Sequence, residues 1–141
     1  MVANTFKLFG IDNSLFTIKE NSNVKGPYKI DVGINFSTGD SYGLIRNSVE
    51  IKYSYGKAVI LKAIVDCYFD VLNEGISPDS NNNTISFSAE FLRDMASVTL
   101  GAARGVLYSK TLGTTLSAAP LPIINLSEII VEGLELTVRG Y

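Results

Sequence analysis

The chain has 141 residues, 46% of them apolar and 18% charged, with a net charge of −2 from 12 basic and 14 acidic side chains, the balance of one globular domain rather than a disordered segment. It contains no histidine and one cysteine, which excludes Ser-His-Asp and Cys-His nucleophiles and a zinc site of the usual His and Cys ligands. The slight acidic balance and scattered cations also argue against a face for the phosphates of nucleic acid, while carboxylate pairs, lysine chemistry and oxygen-ligated Mg²⁺ or Ca²⁺ stay open.

Strands are expected first. The first strand region is Phe6-Lys7-Leu8-Phe9, continuing after Asp12-Asn13 into Leu15-Phe16-Thr17-Ile18, followed by a polar connection from Glu20 to Gly26. Tyr28, Ile30, Val32, Ile34 and Phe36 alternate with Lys29, Asp31, Gly33, Asn35 and Ser37, the period-two pattern of a half-buried strand. Beyond the turn residues 38–41, Ile45, Val49, Ile51, Tyr53 and Tyr55 alternate with Arg46, Ser48, Glu50 and Lys52, and Gly56-Lys57 closes a hairpin because glycine takes the positive φ that a tight turn needs.

The strand over residues 58–72 is apolar at Val59, Leu61, Ala63, Val65, Cys67, Phe69 and Val71, and mixed at its even positions, where Ala58, Ile60, Ile64, Tyr68 and Leu72 stand among Lys62, Asp66 and Asp70. Both faces of such a strand should meet something: one side the chain's own helices, the other a second subunit or a ligand. Taken alone, the odd face is weighted toward ordinary core, with Cys67 a small buried hydrophobe. Asp66 and Asp70, roughly 13 Å apart at strand spacing, read as solvated charges rather than a hydrolytic carboxylate pair.

The run 77–84, SPDSNNNT, is a loop by composition. A helix is expected over residues 89–111, with Ser86 or Ser88 as N-cap and Gly113 as its stop signal. Its apolar stripe is Phe91, Met95, Val98, Ala102 and Val106, flanked by Leu92, Ala96, Ala103 and Leu107, and the small residues 101–105 permit close approach of another element. Arg104, amid those small residues, is expected to satisfy neighbouring carbonyls or an acid. Pro120 and Pro122 hold the next segment extended. Asn125 and Glu128 resemble a capping box that starts a second helix with Leu126, Ile129, Ile130, Leu134 and Val138 on its apolar face. Strands before helices give an α+β domain: an antiparallel sheet of four strands, with a long helix and a short C-terminal helix on one face, in one domain over residues 1–141.

The amino terminus carries no basic-then-apolar leader pattern, no run reaches the length of a membrane span, and a lone cysteine fits a reducing compartment. A cytoplasmic location is expected, where the N-x-S/T triplets at Asn35, Asn82 and Asn125 carry no glycosylation meaning.

The order of these elements, and above all the stretch AARGVLYSKTLGTTLSAAPLPIINLSEII over residues 102–130, resembles the SecB family of export chaperones. The matching features are Ala103-Arg104 on a helix, Gly113 at the turn, an extended segment ending in Pro122-Ile123-Ile124-Asn125, and a helix begun at that Asn. TFKLFGIDNSLFTIKENS over residues 5–22 matches the paired strands with which the family opens, and YKIDVGINFS its next strand. The resemblance implies a homotetramer, a dimer of dimers, that binds unfolded or partly folded polypeptides without ATP, needs no cofactor and is not an enzyme. It implies a subunit interface at the matching strand, with Val59, Leu61, Ala63 and Val65 as candidates. It also implies a client groove lined by Phe36, Tyr42, Leu44, Leu121, Ile129 and Leu134. Two departures stand out: the sequence ends at Tyr141 without the family's tail for the SecA motor, and the Glu20–Gly26 connection lacks bulky aromatics. SecA coupling is therefore not expected, and protection of one partner, such as the antitoxin of a toxin–antitoxin system, is at least as good an expectation as protein export. The alternatives are a small hotdog-like thioester enzyme or ligand carrier, for which Glu90 is the only acid near the start of the long helix, and a structural subunit of an assembly.

Overall fold

Strong alternation of apolar and polar residues lays down the sheet. The structure is a computed structural model and describes residues 2–3, 7–19, 27–38, 44–70, 84–114, 116 and 121–137. After a two-residue strand β1 (Val2–Ala3), the chain forms β2 (Lys7–Ile18), β3 (Lys29–Thr38), β4 (Leu44–Tyr55) and β5 (Ala58–Asp70). These four long strands make an antiparallel sheet in the order β2-β5-β4-β3. Gly56, at φ 59°, turns β4 into β5 through the left-handed region that glycine enters without a steric penalty. The first strand region is a single strand, β2, rather than the pair of short strands that the resemblance implies, and its register against β5 slips at two places, between Leu8 and Gly10 and between Asn13 and Leu15. Bulges of this kind bend a strand without ending it. At the second, the Asn13 side-chain amide donates to the carbonyls of Leu15, at 2.8 Å, and Ile64, at 2.9 Å, tying the irregular strand to its neighbour.

One long helix, α1 (Ala89–Thr111), covers one face of this sheet, packing on β4 and β5. Its N-cap is Ser88, whose hydroxyl accepts from the Phe91 N–H at 3.2 Å, and Gly113 follows it at φ 80°, so both signals in the sequence mark its ends. Phe91, Leu92, Met95, Ala96, Leu100, Ala103 and Leu107 are buried along its inner side. They meet Ile45, Val49, Ile51, Tyr53, Leu61, Ala63, Val65, Cys67 and Phe69 from the two central strands. Two core clusters result, one around Phe69 and Met95, the other around Ile51 and Leu107.

The carboxy-terminal part differs from the expected helix. Asn125 does cap a helix, its side chain accepting from the Ser127 N–H, but α2 spans only Leu126–Ile129. The chain then enters β7 (Leu134–Thr137), which pairs antiparallel with β6 (Thr84–Phe87), while β1 pairs parallel with β6 on its other side. A cap opens a helix but does not extend it. The β-branched run Ile129-Ile130-Val131 and Gly133 weaken helix propagation, and the open edge of β6 offers ladder hydrogen bonds instead. Gly133 is required here: a Cβ at that position would collide with the Phe87 carbonyl oxygen.

Candidate functional site

Alternation sends the two faces of the four-stranded sheet to different fates. Leu61, Ala63 and Val65, expected at a subunit interface, are buried under α1 in the second core cluster. Their side chains are used up within the chain, leaving no surface for a partner. Val59 is exposed instead, because a register shift between Tyr53 and Ser54 puts an extra residue into β5 and sends Val59 to the opposite face. That outer face carries Arg46, Ser48, Glu50 and Lys52 of β4 in register with Tyr68, Asp66, Ile64 and Lys62 of β5. Asp66, expected to be solvated, is only 5% exposed and accepts a hydrogen bond from the Ser48 hydroxyl. Lys62 pairs with Glu50 at 3.4 Å.

β2 is an edge strand of this sheet, so one row of its backbone groups has no strand partner among the described residues. It also exposes large apolar side chains, Phe9 at 69% and Ile11 at 54%. Beside it, a cavity of about 600 Å³ opens between the strand and α1, lined by Ile11, Asn13, Ala102, Gly105, Val106 and Lys110 among others. The Lys110 ammonium lies 5.0 Å from the centre of the Phe16 ring, close enough for a cation–π contact. The outward side of α1 repeats small residues every fourth position, Ser97, Gly101, Gly105 and Ser109, all exposed, and the space over both glycines is open.

A second apolar surface lies on the segment that follows α1. Arg104 donates to the Pro122 carbonyl at 3.1 Å and Arg93 to the Ile130 carbonyl at 2.9 Å. Eleven residues make about three helical turns, so the two guanidinium groups clamp the ends of residues 122–130 along one side of α1. Leu121 and Ile130 turn inward and are buried, whereas Ile123 is 96% exposed and Val131 68%. Of the expected groove residues, Ile129 and Leu134 are exposed on this segment. Leu44 and Leu121 are buried, and Phe36 packs half-buried on the first core cluster. These side chains therefore do not form one common lining. Tyr42 lies outside the described residues. The exposed Ile123 lies within the Pro-x-x-Asn stretch, whereas no motif in the sequence marks Val131.

Among the described residues, no group of three or more Cys, Asp and Glu side chains is placed to hold a metal ion, and no helix is long and apolar enough to cross a membrane. Burial raises the Cys67 thiol above its ordinary 9.0, with Asp66 adding to the rise and a Thr99 hydrogen bond opposing it, the reverse of the depressed value that activates a nucleophile. Glu90 is exposed in the first turn of α1. Among known proteins, no family model matches the chain and no curated sequence is similar to it.

Proposed function

We propose that this protein is an ATP-independent holdase of SecB-like type, capturing non-native or partner polypeptides on exposed apolar surface. The observation that carries the reading is the segment 121–134. Its backbone is clamped by Arg93 and Arg104, yet it holds Ile123, Ile129, Val131 and Leu134 out in water. Apolar side chains fixed outward on an ordered backbone are a ready surface for an extended chain with apolar residues of its own. Such capture needs no proton carrier, cofactor or metal, which suits a chain without histidine.

The edge strand β2 supports the proposed assembly. Its open backbone row, with Phe9 and Ile11, suits a second copy of the same strand, and the small outward side of α1 lets a second helix approach closely. On this reading the protein is a homotetramer, a dimer of dimers, acting in the cytoplasm on one partner such as an antitoxin or on export clients. The test is suppression of light scattering from a chemically denatured substrate diluted into buffer without nucleotide. Protection at a molar ratio near one is expected, and no effect at a several-fold excess would refute the holdase role.

A further inference from the structure

The outer face of the sheet has a basic end, although the chain as a whole carries a net charge of −2. Lys52 on β4 stands directly opposite Lys62 on β5, and like charges so placed repel unless an anion joins them. Lys62 is partly neutralised by Glu50. Lys52 and Lys19 have no ion pair among the described residues, even though Asp31 lies opposite Lys52 on β3. These three lysines line a cavity of about 380 Å³ together with Thr17, Ile18, Val59 and Ile60. The cavity exists because of the register shift between Tyr53 and Ser54, which places Val59 on the outer face while Ile60 and Leu61 both stay buried. A bulge that re-aims side chains beside a charged rim is a common way of building a site on a sheet. Lys29, in register with Ser54, and Lys57, in the turn, stand at the same end, so five of the eight lysines gather there.

We propose that this cavity binds a small organic anion, its oxyanion head held by Lys19, Lys52 and Lys62 and its apolar body resting on Val59, the apolar side chain exposed on that face. Lysine ammonium groups bind phosphate or carboxylate as point charges, and the volume suits a ligand of small-molecule size. The exposed Val59 beside the charges makes an amphiphilic anion a better fit than a bare one. The site lies on the side of the sheet opposite α1 and does not depend on the holdase reading.

Amide NMR titrations of the full chain test it, with phenyl phosphate, benzoate and inorganic phosphate as probes at 0.15 M salt, where the Debye length is about 8 Å. Saturable shifts confined to residues 17–19, 52 and 59–62 are expected, with phenyl phosphate binding several-fold more tightly than inorganic phosphate. Whether phenyl phosphate or benzoate binds better assigns the head group, phosphate or carboxylate. Lys52→Gln should weaken binding about tenfold, the scale of one lost charged contact, and Lys7→Gln at the opposite end of the sheet should leave it unchanged. Small non-saturating shifts at every lysine, or equal losses in the two variants, would overturn the proposal.

Discussion

Ser48 and Asp66 face each other across β4 and β5, and the serine hydroxyl donates to Oδ1 of the aspartate. Asp66 is 5% exposed, and Ser48 is its only hydrogen-bond donor among the described residues. Its other cross-strand neighbour, Asp12 on β2, is another carboxylate. A buried charge with one donor depends heavily on that donor.

Ser48→Ala should therefore destabilise the protein by about 1–3 kcal/mol, the cost of leaving a buried acceptor unsatisfied. Asp66→Asn, which keeps an acceptor for Ser48 and removes the charge, should cost less. Urea unfolding of both variants checks the order, and a Ser48→Ala change within a few tenths of a kcal/mol would show that water already serves the carboxylate.

The buried thiol makes a pH-dependent contribution. Burial raises Cys67 in the folded state above 9.0, so the unfolded chain ionises first as pH rises. The folded state then binds more protons than the unfolded one, and stability falls with pH. The contribution is complete below pH 9.0 and is lost progressively above it. Tyr53, raised by burial from 10.0, adds to the fall at higher pH. Thermal melts from pH 8 to 10 should show a declining midpoint, with a shallower decline in Cys67→Ala. Parallel slopes would place the alkaline loss elsewhere.

Gly133 tests the pairing of the last strand. A methyl group there meets the Phe87 carbonyl, a backbone atom that can move only with β6. Gly133→Ala should cost about 1–3 kcal/mol, as forced overpacking does, and should speed hydrogen exchange at residues 134–137, which pair with residues 84–87. Unchanged exchange in those amides would mean that the loop relaxes without loosening the ladder.

Local signals read the long elements well because pattern and packing agree there. Period-two alternation in Tyr28–Phe36 and Ile45–Tyr55 matches a sheet with one covered face, and Ser88 and Gly113 bracket α1. The misreadings arise where distant pairing decides. Nothing in the four residues Thr84–Phe87 marks a strand until Leu134–Thr137 and Val2–Ala3 lie beside them, so the capping signal at Asn125 suggested too long a helix. Asn47 is instructive in another way. It is fully buried on the apolar face of β4, in register with Phe36 and Cys67, and its amide donates to the Asn35 carbonyl at 3.0 Å, an exception that alternation alone does not anticipate. The proposed binding surfaces were the least legible. Parity assigned Val59 to the same face as Leu61, and only the bulge separates them.

Assembly and capture can be separated, because the proposed surfaces lie on different elements. Phe9 and Ile11 stand on the edge of β2, whereas Ile123 and Val131 stand on the clamped segment after α1. All four are exposed, so polar replacements should leave the fold within about 0.5 kcal/mol of the parent, as surface substitutions usually do. Phe9→Glu with Ile11→Glu places like charges across a self-paired edge, a device that blocks strand addition. Light scattering should then show a mass below that of the proposed tetramer, ideally a folded monomer. Ile123→Ser with Val131→Ser should leave the mass unchanged and reduce aggregation suppression several-fold. If the β2 variant instead lost client protection while keeping its mass, the edge would be the capture site and the assembly would be held elsewhere. If neither variant changed either property, both surfaces would be ordinary exposed apolar residues, and the holdase reading would lose its structural support.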